Sequence, residues 1–427
     1  MRNLLLGALL LNAFLGFSQQ NFTAIDTMFA SCKVDLNQEY KKKFETINKT
    51  IATKNPKERT ILKEIYSEIQ ESFLEKIESN DFMCSSDINH YLQGLMAEIL
   101  MKNNITAQEY KILLSKNSEI NAYNTGDGTV VINYGLFLAV ENEDELVFVI
   151  CHEIGHQHLN HVKTEIESFT RLSTSEDIIA KIKEIKKQKY GRATKATDLM
   201  KNIRYQNYSK RRKKEIEADS IGFAFYKKTL RNPKAAINIL AKLNDADLES
   251  DSLTVADYKK IFEKNGFIAK QKYFDEEKSL FSKYDYNKEM KIDSLKSHPD
   301  CTTRIKLIEK YNDKSLGENF NSPQSFLEIK KNTTYQNLFN LFSSERYGIS
   351  LYEALKLYKY NDQDAVLKKI IYLNLLKIYD SRVNYTINRY VPSHDNLVNS
   401  ASLNRFVSYI NNIKLNDFQT IINNFKS

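Results

Sequence analysis

Hydrophobic positions recur with a helical period along most of this chain and with a strand period in one short stretch. Residues 38–78 are rich in Lys, Glu and Ile at helical spacing. Asp87 to Lys102 places Leu92, Leu95, Met96, Ile99 and Leu100 on one broad face, which predicts an amphipathic helix. The pattern then shortens. Tyr110 to Leu114, Glu119 to Tyr123 and Thr129 to Asn133 are brief runs of β-formers, with a turn signal in Asn124-Thr-Gly-Asp-Gly128. They predict a small sheet. After Gly135 the helical period returns. Asn142 with Glu145 predicts an N-cap, and Glu143, Asp144 and Glu145 suit the positive end of the helix that follows. Residues 162–210 read as polar helix, Glu215 to Lys227 as a further helix, and residues 234–310 as mixed helix and loop. Beyond about residue 311 the chain reads as helix throughout. Ser350 and Glu353 predict another capping box there. Val366, Leu367, Ile370, Ile371, Leu375 and Ile378 mark a strongly apolar helix, without a clean 34-residue repeat. The expected fold is mainly α with a small β-sheet, an α+β arrangement with helical N- and C-terminal regions. Its expected regions are 1–18, 19–86, 87–310 and 311–427.

Composition agrees with long helices: the 427 residues include 12 Gly, 5 Pro and no Trp, with 42% hydrophobic and 27% charged residues. The first region reads as an export signal. Arg2 precedes an apolar run from Leu4 to Phe17, and Gly16 and Ser18 supply the small residues of a cleavage site before Gln19. At about 14 residues the run is short of the roughly 20 that span a bilayer. A periplasmic or extracellular protein, soluble after cleavage, is therefore expected. Such a compartment permits disulfides, and of Cys32, Cys84, Cys151 and Cys301 the first two are the favoured pair. Cys151 reads as a small core residue. The net charge of +8 is uneven: Lys181 to Lys214 holds fourteen Lys and Arg against Glu184 and Asp198. That stretch fits either a solvated helix face or contact with an anionic membrane surface. Export argues against nucleic acid as a partner.

Cys151-His-Glu-Ile-Gly-His156 carries the chemistry. His152 and His156 are four residues apart on a helix and project from one face, so both imidazoles can reach one zinc ion. Glu153 beside them can take a proton from zinc-bound water. Gly155 allows close packing against the sheet or the substrate. Catalytic zinc takes three protein ligands and a water. On a continuing helix His158 lies about 240° and His161 about 180° around from His152, so both read as outer or surface residues. Glu215 and Asp219 share one helix face. Glu215 is a candidate third ligand, and Asp219 a candidate acceptor for the outer nitrogen of a ligand His. Glu217 points away from that face.

Several segments occur in a telling order: Asn121-Ala-Tyr123, Asn133-Tyr-Gly-Leu-Phe137, Glu141-Asn-Glu-Asp-Glu-Leu146, His152-Glu-Ile-Gly-His156 and Glu215-x-Glu-Ala-Asp219-x-x-Gly222. Together they resemble the HtpX-like and CAAX-prenyl-protease (Ste24-like) family of gluzincin peptidases, most closely its soluble exported branch, over about residues 87–310. The resemblance implies a zincin-type catalytic domain there and one Zn²⁺ per chain on His152, His156 and Glu215. It also implies Glu153 as general base, with Asp219 behind a ligand. Ser297-His-Pro-Asp-Cys-Thr-Thr-Arg304-Ile305 matches a further family element. By resemblance His298 lies near the active site, and Arg304 pairs with an acid such as Asp219 or stabilises the oxyanion. The family's Pro-Gly-Gly turn is here Gly126-Asp127-Gly128, a departure that touches no ligand.

The resulting expectation is a zinc metalloendopeptidase acting on misfolded or envelope proteins. The strand Thr129, Val130, Val131 and Ile132 is expected to offer an edge to which extended substrate adds. The competing expectation is a chaperone or binding module for envelope proteins with latent peptidase activity.

Overall fold

The computed structural model describes residues 22–25, 30–53, 55–84, 86–187, 192–246, 249, 251–275, 301–310, 319–395 and 399–426. The expected leader, residues 1–18, and His298 lie outside them. In chain order the helices are α1 (Ala30–Thr50), α2 (Pro56–Glu78), α3 (Ser86–Lys102), α4 (Leu136–Ala139), α5 (Glu143–His158), α6 (His161–Thr174), α7 (Glu176–Lys187) and α8 (Arg192–Lys228). They continue as α9 (Lys234–Asp245), α10 (Val255–Phe262), α11 (Cys301–Glu309), α12 (Gln324–Ser343), α13 (Tyr347–Tyr358), α14 (Ala365–Val383), α15 (Ala401–Asn412) and α16 (Leu415–Phe425). Strands β1 (Lys111–Ser115), β2 (Ala122–Asn124) and β3 (Thr129–Asn133) form the sheet. The chain is mostly helical with one small sheet, as its pattern predicts. No helix among the described residues is long and apolar enough to cross a membrane.

Two compact units divide the chain: Ile25–Glu249 with Tyr284–Asn340, and Met1–Ala24 with Ser250–Lys283 and Leu341–Ser427. The N-terminal helices share a unit with the sheet.

In that unit the sheet order is β1-β3-β2, with β1 parallel and β2 antiparallel to β3. The expectation that Thr129–Ile132 forms an exposed edge is therefore overturned. β3 is the central strand, its backbone is paired on both sides, and every one of its residues is buried. The run Thr-Val-Val-Ile is apolar at successive positions because both faces are covered. Val130 and Ile132 enter the main core with Leu92, Met96 and Ile99 of α3 and Leu146 and Ile150 of α5. Val131 and Leu113 point the other way, into a second core with Tyr40, Phe44, Phe73 and Ile77 of the α1–α2 hairpin. Tyr40 is fully buried, and its hydroxyl meets Thr129 Oγ1 at 2.9 Å. A Cys32–Cys84 disulfide, the pairing favoured from sequence, ties the start of α1 to the segment after α2. Cys151 and Cys301 are buried and take no part in the disulfide.

Helix α5 is buried from Glu143 through Gly155, so its entry must satisfy acids as well as amides. Asn142 caps it, with Oδ1 accepting from the Glu145 N–H at 2.9 Å. The Glu145 side chain reaches back to the Glu141 N–H (2.8 Å), one residue before the cap. Arg231 lies across the same helix end. It forks onto Glu98 (2.8 and 2.9 Å), reaches Glu143 at 3.0 Å and lies 3.6 Å from Asp144. Lys242 holds Glu145 at 2.8 Å. The three acids thus sit at the positive helix end with a cation each to meet.

In the second unit, Thr254 and Asp257 form a full capping box on α10. Tyr258 and Phe262 of α10 pack on Tyr409 of α15, with ring centroids 5.0 and 5.7 Å apart. The capping box expected at Ser350 and Glu353 is not formed. Helix α13 starts at Tyr347, and Ser350 lies buried inside it, accepting from Asn374 Nδ2 of α14 at 2.8 Å. Its hydroxyl faces a neighbouring helix instead of its own first turn.

Replacing Arg231 by Met strands Glu143 and Asp144 in the core and is expected to cost about 3 kcal/mol, read by urea denaturation. The Arg231 bonds hold the Glu98 carboxyl down at about 2, against an ordinary 4.5. Its contribution is therefore complete above about pH 4.5 and lost as pH falls through about 2. The variant should show a shallower loss of stability across that acid window. An unchanged urea midpoint would count against the network.

Candidate metal centre

Two helices build the site, and glycine sets their distance. A Cβ on Gly222 of α8 would lie 2.8 Å from His152 Cα and 2.9 Å from the Cys151 carbonyl oxygen. A Cβ on Gly155 of α5 would lie 2.8 Å from the Ala218 carbonyl oxygen and from Ile221 Cγ2. The backbones of α5 and α8 therefore touch where they cross. Gly155 packs against α8, not against the sheet or a substrate as expected. This crossing places His152 and His156, one turn apart on α5, opposite Glu215 and Asp219, one turn apart on α8.

His152 Nε2 and His156 Nε2 lie 3.1 Å apart, and each is 3.5 Å from a Glu215 oxygen. Two imidazole nitrogens and a carboxylate thus converge within one small triangle. Zinc at about 2.0–2.1 Å from tetrahedral ligands requires donor separations of about 3.3 Å, so the triangle fits the ion. The donor chemistry fits as well: a divalent cation is what two facing imidazole nitrogens and a carboxylate accept together.

Behind this triangle is a buried lattice of charge. His152 Nδ1 lies 2.8 Å from Asp219 Oδ1. Arg304 of α11 is buried, bonds Asp219 through Nε (2.5 Å) and Nη2 (2.9 Å), and lies 3.2 Å from Glu215 through Nη1. Arg304 therefore stands in the pairing expected for it with Asp219. Burial alone lowers the affinity of His152 for a proton, but Asp219 and Glu215 outweigh it and bring its pKa up to about 10. Burial and the His152 charge push His156 down to about 3. Burial opposes ionisation of Glu215 too, but His152, Arg304 and His156 hold its carboxyl well below the usual range. Burial raises Glu153 to about 7, against the pull of His152, Arg304 and the Asn124 amide. The surroundings of His152 and His156 thus shift the two imidazoles in opposite directions.

The structure brings His152, Glu153, His156, Glu215 and Arg304 around one cavity of about 200 Å³, which Asn121–Asn124 also line. Ala122–Asn124 of that wall form β2, an outer strand of the sheet. His158 is exposed and edges Phe225. His161 was expected to be an outer or surface residue, and it is a buried outer one. Its Nδ1 meets His156 Nδ1 at 3.0 Å, and its Nε2 lies 3.3 Å from Glu217. Helix α5 ends at His158, Asn160 takes a left-handed φ of 53°, and the chain doubles back. Glu217 does point away from the triangle, but toward this second layer.

The profile of peptidase family M48 matches residues 86–312, more than half of the chain. The chain belongs to peptidase family M48. The resemblance carried by its motifs is a resemblance to that family. Among similar proteins, the beta-barrel assembly-enhancing proteases of Yersinia pestis and Escherichia coli (strain K12) are each 26% identical over 160 residues, 37% of this chain and 33% of theirs. A putative beta-barrel assembly-enhancing protease of Vibrio cholerae is 29% identical over 86 residues, 20% of this chain and 18% of its own. The chain thus spans about a third or less of the length of these relatives.

Gly222→Ala should force α8 off α5. The expected result is substoichiometric zinc by metal analysis, with a stability loss of about 1–3 kcal/mol from overpacking. Full zinc loading at unchanged stability would mean the crossing tolerates a methyl group.

Proposed function

We propose that this M48 protein is a zinc metalloendopeptidase that cuts unfolded or misfolded proteins of the cell envelope. The observation that carries the reading is the convergence of His152 Nε2, His156 Nε2 and Glu215 at 3.1–3.5 Å. In this reading those three residues hold one Zn²⁺. When bound, the ion supplies Lewis-acid activation of the scissile carbonyl and of a water. Glu153 takes a proton from the attacking water on its carboxylate and delivers it to the leaving amine nitrogen. Asp219 fixes the His152 ring through Nδ1, and Arg304 fixes Asp219 and Glu215, so Arg304 acts by positioning. With His156 bound through Nε2, its Nδ1–H donates to His161 Nδ1, and His161 Nε2–H donates to Glu217. Extended substrate adds beside β2, which takes the place assigned to Thr129–Ile132 from sequence. The Asn124 amide faces Glu153, so a strand laid there passes the general base. His298, carried over by resemblance, remains part of the proposal as a residue near the reacting carbonyl.

The similarity to beta-barrel assembly-enhancing proteases supports export and envelope substrates. Exposed Lys183 and Lys187 of α7 and Lys210, Arg211 and Arg212 of α8 support a further contact with an anionic membrane surface.

Glu153→Gln should lower hydrolysis of labelled casein by about a thousandfold while zinc, counted by mass spectrometry, stays at one per chain. Full activity in that variant sinks the mechanism. His161→Phe should loosen zinc about 10–100-fold in a chelator competition, with partial recovery in His161→Asn. Unchanged zinc affinity in both would remove His161 from the site.

A further inference from the structure

A second, larger cavity lies in the same unit as the metal centre. It has a volume of about 1350 Å³, beyond the roughly 300–1,000 Å³ of small-molecule pockets. One wall is the α1–α2 hairpin, and the opposite wall is the β2–β3 turn with the first turns of α6. Tyr123, Asn124 and Val162 line both this groove and the cavity around the metal ligands, so the two adjoin along β2. They meet where the turn passes α6: Gly126 has a φ of 83°, and a Cβ there would fall 2.7 Å from Val162.

We propose that this groove binds an extended, apolar stretch of the polypeptide substrate, continuous with the segment being cut. The proposal rests on the peptidase reading and adds to it where the substrate is held. Three observations support it. First, β2 is only three residues long, about 10 Å of strand, too little to retain a peptide by backbone pairing alone. Second, the mixed lining carries an apolar set, Ile47, Ile51, Tyr66, Ile69 and Ile166, and Ile69 keeps 41% of its surface exposed. Five Lys and five Asp or Glu line it too, so their formal charges balance, and Lys43 meets Asp127 at 3.4 Å and Lys111 meets Glu39. That balance does not suit a phosphate or another compact ion, and it does suit uncharged side chains. Third, the hairpin wall is fixed before any ligand arrives, by the Cys32–Cys84 disulfide and the Tyr40–Thr129 bond. A preformed wall spares the ordering cost of binding. The hairpin also precedes residue 86, where the family match begins, so this wall is an addition to the matched domain.

The test separates holding from cutting. Fluorescein-labelled, carboxymethylated casein is titrated with the full chain carrying Glu153→Gln, and the anisotropy gives Kd. Adding Ile69→Glu, or separately Ile47→Glu, puts a charge into the groove and should weaken binding about tenfold. Adding Met101→Glu, at a residue 70% exposed and outside the groove, should leave Kd unchanged. Circular dichroism melts confirm that each variant is folded. Equal Kd in the groove variants and the control overturns the proposal, as does equal weakening by Met101→Glu. Binding that depends on the groove, with no casein cleavage by the unmodified zinc-loaded protein, overturns the peptidase reading and leaves the groove standing.

Discussion

The approach of α5 to α8 at Gly155 and Gly222 is the constraint from which the site follows. Any side chain at either position would fall inside van der Waals contact of the facing backbone, so the helix axes would separate. The ligand triangle has no slack for that: its sides are 3.1–3.5 Å. The spacing of His152, His156 and Glu215 is therefore held by two glycines that take no part in the triangle.

Charge is the second requirement of this crossing. Burying two histidines, three carboxylates and a guanidinium together costs several kcal/mol per ion unless each meets a partner. The arrangement answers that by layering. Glu215 faces the ligand nitrogens, Asp219 stands behind His152, and Arg304 stands behind both acids. The far end of α5 repeats the device with Arg231 and Lys242 on three first-turn acids. Both ends of one helix are thus anchored by ionic contacts, and its middle by apolar packing. Such a helix has few ways to rotate or slide, which suits an element that carries ligands at fixed phase.

Much of this was legible in the sequence. His152 and His156 announce themselves by spacing, Asn142 by its place before an acidic turn, and Glu215 and Asp219 by their own four-residue interval. The Cys32–Cys84 pair was favoured by proximity in the chain. Other features were hidden for physical reasons. The central position of β3 lay in the unbroken apolar run from Val130 to Ile132, since an edge strand with one wet face would alternate. The placement of His161 could not come from helical angles, because the helix stops first; Asn160, a residue that tolerates left-handed backbone, was the available hint. Arg231 had no local signal, since its partners lie 133 and 88 residues away. Nor does any local pattern signal that Leu253 and Tyr258 pack with Ser402 and Tyr409, about 150 residues on.

The hairpin has a consequence for the order in which the molecule is built. Helices α1 and α2 emerge before the sheet during synthesis, but Tyr40 and Phe73 gain their second core only when Val131 is in place, and Tyr40 bonds a residue 89 positions later. Contacts of that separation form after the local ones. The sheet must therefore precede its own cover, and the groove closes late. A chain caught before that point would carry a folded ligand helix beside an open, sticky strand face. The disulfide across 52 residues joins α1 to the segment in which Phe82 bridges Ser115 of β1, so the cover is tied to the sheet by a covalent bond as well as by packing.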